Sequence, residues 1–212
     1  WIKALYLKIY SRSKGIVACS EEVKKRLINF GVSPQKVHVL YPAVDYNRYK
    51  PCQVPSNFLA KYRLQNKRII LTVGRIIQRK GHEQVIRALP EILKQFPETV
   101  YCIAGVGPYR EELEHRIRSL GTGVAVRFLG KVSAEDLPLL YNACDVFVMP
   151  SCEKSEGGHI EGCGIVFLEA NACAKPVIGG RSGGVIEAIR DGETGFLVSP
   201  DSPRELAEKI LF

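Results

Sequence analysis

The sequence contains no run of about 18 apolar residues, the length a membrane-crossing helix needs. Its opening WIKALYLKIY carries two lysines where a signal peptide would be apolar. Both absences lead to the expectation of a cytoplasmic protein. The seven cysteines (Cys19, Cys52, Cys102, Cys144, Cys152, Cys163 and Cys173) are odd in number and form no C-x-x-C pair. They read as reduced core residues in a reducing compartment, which argues against a zinc site. No aromatic-rich motif accompanies the lysines, so nucleic acid is not an expected partner. Internal repeats and low-complexity tracts are also missing. Methionine occurs once, at Met149, so the chain is expected to be a fragment or a processed product. A C-terminal portion is expected to be missing too, because the last helical pattern stops with the chain.

What is present is an ordinary globular composition, 46% apolar and 25% charged over 212 residues, enough to bury a sizeable core. The net charge of +8 is unevenly spread. Residues 1–66 hold 12 Lys/Arg and 3 Asp/Glu, a balance of +9, whereas residues 67–212 hold 18 and 19, a balance of −1. Two readings of the basic front stay open: a solvated surface, or a face turned toward anionic lipid.

Residues 1–50 read as a helix over about 1–12, a short strand GIVA, a helix from the cap Ser20 to Gly31, and a strand KVHVL. One βα unit and a further strand are too little for a sheet of their own. Prolines 42, 51 and 55 mark the stretch from Tyr41 to Asn66 as a linker. Beyond it, six apolar strands alternate with six helical segments: RIILTVG, TVYCIAG, VAVRFLG, DVFVMP, PVIG and GFLV are the strands. This pattern predicts an α/β fold with a Rossmann-like, doubly wound parallel sheet.

In such a sheet ligands bind beyond the carboxyl ends of the strands. The loop GRIIQRKG follows the first main strand, and Arg75 and Lys80 can converge there on one anion such as a diphosphate, or simply line a solvated face. AGVGPYREEL resembles a dinucleotide fingerprint only in part, because Arg110 stands where a third glycine is required. A tight turn near a ligand is the better reading. In EGGHIEGCGIVFLEA, Glu161 and Glu169 lie eight residues apart around a glycine-flanked turn. Gly162 and Gly164 permit close backbone approach, and the helix starting near Ile165 presents the free N–H groups of Ile165 and Val166 to an anion. Glu169, one turn on, can accept hydroxyls of a ligand whose phosphates sit at the helix end, and Glu161 can reach their other side. Carboxylates for hydroxyls and cations for phosphates together describe a sugar nucleotide. The plain alternative is a solvated Glu169 and an ordinary N-terminal helix carboxylate at Glu161. A glycosidase pair fits poorly: its carboxylates stand about 5–9.5 Å apart, eight helical residues span about 12 Å, and Arg75 and Lys80 would have no role.

The ordered blocks VGRIIQRKG, GVGP, RFLGKV with LPLLYNACDVFVMPS, the E-x7-E pair, and KPVIGGRSGGVIEAIRDGETGFLVSP resemble a known family over about Ser20 to Leu211. They look like the C-terminal, donor-binding half of a retaining family 4 glycosyltransferase of GT-B architecture. The resemblance implies residues 1–45 as the tail of an N-terminal acceptor domain, 46–66 as a linker, and 67–212 as the nucleotide-sugar domain. It implies Arg75 and Lys80 on the donor diphosphate, Glu161 on the transferred sugar and Glu169 on the ribose. Backbone at Gly164, Ile165 and Val166 would hold sugar and phosphate, Lys131 and Val132 would border the base, and Gly74 and Gly107 would leave the ligand room. Glu187 would brace loops or touch ligand. Cys163 stands where the family usually has Phe or Leu, Ala174 where it has Gly, and His159 is an extra imidazole read as a loop residue.

The implied reaction moves a sugar from a nucleoside diphosphate to an acceptor hydroxyl with retention, and it needs no metal; there is no Asp-x-Asp. The look is closest to GDP-mannose-dependent enzymes of phosphatidylinositol mannoside synthesis, so GDP-mannose is favoured over a UDP-sugar. A lipid or glycan acceptor would be held by the N-terminal domain at the inner membrane face, and this chain alone would bind donor without transfer. A sugar-nucleotide epimerase of the same architecture and a non-catalytic nucleotide-sugar module are the rival readings.

Overall fold

The computed structural model describes residues 2–153 and 160–212. The front of the chain folds as α1 (Ile2–Arg12), β1 (Ile16–Ala18), α2 (Glu21–Phe30) and β2 (Val37–Val39). Ser20 caps α2, its hydroxyl accepting from the Val23 N–H, and Gly31 ends it in the left-handed conformation at φ 113°. The expectation that this stretch cannot form a sheet is corrected: β1 and β2 pair in parallel, Ile16 opposite Val37. The crossover through α2 is long enough to bring the second strand alongside the first. Ala18, Val32 and Val37 form its small core, covered by Leu7, Tyr10 and Leu27.

The stretch 46–66, read as a linker, carries α3 (Ser56–Lys61) and sends Tyr49, Phe58 and Leu64 into the main core. That core belongs to β3 (Arg68–Val73), α4 (His82–Gln95), β4 (Thr99–Ala104), α5 (Arg110–Leu120), β5 (Val126–Gly130), α6 (Asp136–Ala143) and β6 (Val146–Met149). It continues through α7 (Ile165–Ala172), β7 (Val177–Gly180), α8 (Val185–Ala188), β8 (Gly195–Val198) and α9 (Pro203–Leu211). All six expected main strands form, in one parallel sheet of order β5-β4-β3-β6-β7-β8.

Both faces of this sheet are covered, which is why its strands read as continuous apolar runs. Alternate residues along a strand point to opposite faces. Val100 and Cys102 of β4 therefore join Phe58, Tyr141 and Phe167 on one side. Tyr101 and Ile103 join Ile86, Leu89, Leu113 and Leu206 of α4, α5 and α9 on the other. The reading of all seven cysteines as core residues needs correction: Cys102, Cys144 and Cys173 are buried, Cys19, Cys152 and Cys163 are half-buried, and Cys52 is exposed. Cys102 lies in β4 and Cys144 and Cys173 end α6 and α7, all three packed into the main core, whereas the other four lie in loops.

Candidate active site at the switch point of the sheet

The chain leaves β3 toward one edge of the sheet and resumes at β6, on the other side of β3. The loops after β3 and β6 consequently diverge above and below the sheet, and the gap between their carboxyl ends is where open α/β sheets hold ligands. Here the two loops are stitched together. The short turn Gln78–Lys80 ends at Gly81, φ 74°. A side chain at Gly81 would run into the Pro150 carbonyl, and the Cys152 N–H donates to the Arg79 carbonyl at 2.9 Å.

Glu161 reaches into this junction from the far side of the β6 loop. Its Oε2 accepts from Lys80 Nζ at 2.5 Å and from Arg79 Nη1 at 3.1 Å. Lys80, with its side chain 11% exposed, lies across Gly74. Arg75 projects outward and makes no ion pair among the described residues. The structure thus brings Lys80 to Glu161 and leaves Arg75 apart. Arg79 was not singled out from the sequence; the only signal was that it is a third cation in the same loop.

A buried polar chain supports the loop from below. The His82 Nε2–H donates to the Arg75 carbonyl at 3.2 Å, and His82 Nδ1 lies 3.0 Å from the Tyr101 hydroxyl. Because Nε2 faces a carbonyl it must carry the proton, so Nδ1 accepts from Tyr101. Tyr101 is also 2.9 Å from Thr72 Oγ1, and Thr72 in turn donates to the Val148 carbonyl of β6. Burial pushes the His82 pKa down to about 4, so the ring is neutral.

The α7 helix starts beside Glu161. Gly164 precedes it at φ 61° and, as a glycine, offers no capping side chain, while the Cys163 thiol lies against the Ile165 N–H. A Cβ at Gly164 would sit 2.7 Å from the Phe167 ring, so the turn needs glycine. Glu169 is half-buried and is not a solvated helix residue: the Tyr141 hydroxyl donates to it at 2.6 Å. Tyr49 faces the same carboxylate, and burial, followed by the charge of Glu169, pushes its pKa up to about 12. Both tyrosines therefore remain protonated donors.

The other expected residues sit as follows. The space beside Gly107 is taken by the Ile76 backbone, whose carbonyl accepts from the Tyr109 N–H at 3.1 Å, so the glycine serves loop packing. Lys131 is exposed and Val132 half-buried beyond β5, two strands or about 10 Å sideways from β3. Gly162 packs on the front unit: Ser20 Oγ donates to the Gly162 carbonyl at 2.6 Å. Glu187 braces the same junction, accepting from the Glu21 and Glu22 N–H groups at 2.8 and 2.9 Å. Cys163 lies beside Cys19, and burial first of all pushes its pKa up to about 11. His159 lies outside the described residues. A hollow of about 650 Å³ opens at the opposite, amino ends of β6, β7 and β8, near Asp145, Lys175 and Gly195. Among the described residues, no helix of the sheet aims its N-terminus at that end.

Comparison with known proteins bears on the family and the fold. The profile of Glycosyl transferases group 1 matches residues 57–212, and that of Glycosyltransferase Family 4 matches residues 1–48. A GDP-mannose-dependent alpha-(1-6)-phosphatidylinositol monomannoside mannosyltransferase of Mycolicibacterium smegmatis is 40% identical over 170 residues, 80% of this chain and 44% of that protein. A GDP-mannose-dependent mannosyltransferase of Corynebacterium glutamicum, acting on the monoacylated monomannoside, is 33% identical over 86% of this chain and 48% of its own length. The chain thus spans about half the length of the curated relatives it matches. Among solved structures, Anabaena HepE in complex with UDP-glucose superposes with a TM-score of 0.85 at 28% identity, over 99% of this chain and 56% of HepE. With the group 1 profile covering well over half of its residues, the chain belongs to the glycosyl transferases group 1 family, and its fold is that of a GT-B glycosyltransferase C-terminal domain.

Proposed function

We propose that this chain is the donor-binding part of a retaining glycosyltransferase that moves mannose from GDP-mannose to a hydroxyl of a lipid or glycan. The carrying observation is the meeting of Glu161 with Lys80 and Arg79 beside the glycine-led start of α7. A carboxylate suits sugar hydroxyls, while cations and free N–H groups suit a diphosphate. As the glycosidic bond breaks, negative charge grows on the departing diphosphate. Lys80 and the α7 N-terminus would meet that charge, with Arg75 turning in from its outward position, which would lower the barrier and could take over the part a metal ion would play. Glu169, held by Tyr141, is placed to accept the ribose hydroxyls, and Lys131 and Val132 would border the base.

Relatives named for GDP-mannose, at 40% and 33% identity, favour that donor over the UDP-glucose held by HepE at 28%. In the whole enzyme an N-terminal domain would bring the acceptor to the cleft at the cytoplasmic face of a membrane, and the basic front, +9 over residues 1–66, would favour anionic lipid there. The chain alone binds donor and transfers little. Among the described residues no helix is long and apolar enough to cross a membrane.

Isothermal titration of the chain with GDP, GDP-mannose, UDP, UDP-glucose and ADP tests the proposal. Selective binding of GDP and GDP-mannose that weakens in Lys80→Ala and Glu169→Ala is expected. Selective binding of the uridine nucleotides would replace the donor, and binding indifferent to both substitutions would move the site elsewhere.

A further inference from the structure

Glu161 is held by two cations that are neighbours in sequence, and both reach one oxygen, Oε2. The side chains of Lys80, Arg79 and Glu161 are only 11%, 23% and 14% exposed. The cluster is therefore partly dehydrated, unlike the solvent-bathed pairs on the helix surfaces, and its members depend on one another for counter-charge. One carboxylate does not need two cations for neutrality.

The second cation matters once a phosphate competes. On the proposed reading, which this inference deepens, Lys80 serves the donor diphosphate. If Lys80 were the sole partner of Glu161, each diphosphate that binds would strip a half-buried carboxylate of its counter-ion. Glu161 would then oppose the ligand it is meant to serve. Arg79 has the position to remove this conflict. Its backbone is pinned, since its carbonyl accepts from Cys152 at 2.9 Å, and the next residue but one, Gly81, is pressed against Pro150. The turn that carries Arg79 is thus fixed to the same loop that leads to Glu161, and its guanidinium can stay when Lys80 turns away.

We infer that Arg79 is a positioning residue which keeps Glu161 charged and aimed while Lys80 is drawn to the diphosphate, so that the sugar-side carboxylate and the phosphate-side cation act together. Arg79 itself need not touch the ligand. Its contribution appears in diphosphate binding only as long as Glu161 carries a charge.

The test is a double-variant cycle read by isothermal titration with GDP and UDP. Arg79→Met should weaken diphosphate binding about tenfold, because the freed carboxylate then competes for Lys80. Glu161→Gln removes the competitor, so Arg79→Met combined with Glu161→Gln should bind within about threefold of Glu161→Gln alone. Arg79→Lys, which keeps the charge, should retain most of the affinity. A loss that persists in the double variant would show direct phosphate contact or general support of the fold and would overturn the inference, as would unchanged binding by Arg79→Met. If the unaltered chain binds neither nucleotide, the proposed function itself fails and takes this inference with it. Binding by the unaltered chain without recovery in the double variant refutes the inference alone.

Discussion

His82 offers a quantitative test of the structure that needs no ligand. It is 1% exposed, its Nε2–H donates to the Arg75 carbonyl, and its Nδ1 accepts from Tyr101. Protonation would put a charge into this dry site and set an N–H against the Tyr101 proton. Burial accordingly lowers its pKa from 6.5 to about 4. Because the folded value lies below the unfolded one, the unfolded chain binds the extra proton between pH 6.5 and 4. Stability is fully present above that window and falls as the pH drops through it. At 1.36 kcal/mol per unit, the loss saturates near ~3 kcal/mol below pH 4, and about 2 kcal/mol of it accrues between pH 7 and pH 5. Urea unfolding of the chain and of His82→Gln, which keeps an amide donor and does not titrate, isolates this contribution from the acidic residues. The unaltered chain should lose about 2 kcal/mol more than the variant between those two pH values. Parallel pH profiles would refute the reasoning, and so would an NMR titration of the His82 ring with a midpoint near 6.5.

Two further outcomes are expected. Ala174 sits at φ 56° just past the end of α7, a conformation that costs a residue with a Cβ about 1 kcal/mol; Ala174→Gly should raise the free energy of unfolding by about that amount in urea titrations, and a loss of stability would contradict the left-handed backbone. Tyr141→Phe removes the hydroxyl that donates to Glu169 at 2.6 Å and should destabilise the chain by roughly 1.5–3 kcal/mol, the range for a hydrogen bond to a charged group; an unchanged melting temperature would mean that Glu169 finds an equal partner in Tyr49 or in water.

How much of this was legible from the residues alone varies with the distance over which each feature is decided. Ser20 and Gly31 mark the ends of α2 in the sequence because a cap acts on N–H and C=O groups within a few positions of itself. Arg79 gave no such mark. Beside Lys80 it looked like one more surface cation, and only the fold shows it against Glu161, 82 residues later. Tyr141 and Tyr49 gave no mark either, because their shared partner Glu169 is also distant in sequence. Glu187 had two open readings, and the N–H groups at the start of α2 decide for bracing. Gly107 was expected to leave room for a ligand, and the Ile76 backbone fills that space instead.

By itself, the sequence determined the alternation of strands and helices, the two-sided burial of the main sheet and the placing of every chemically interesting loop at the strands' carboxyl ends. Those features follow from periodicities of two and 3.6 residues and from chain direction, which are local. The tertiary structure alone decided that β1 and β2 pair, that Tyr49, Phe58 and Leu64 enter the main core, and that Lys80 turns to Glu161 while Arg75 stays in solvent. Like charges are interchangeable along a chain. They become distinct only when packing fixes which of them loses water and which partner replaces it.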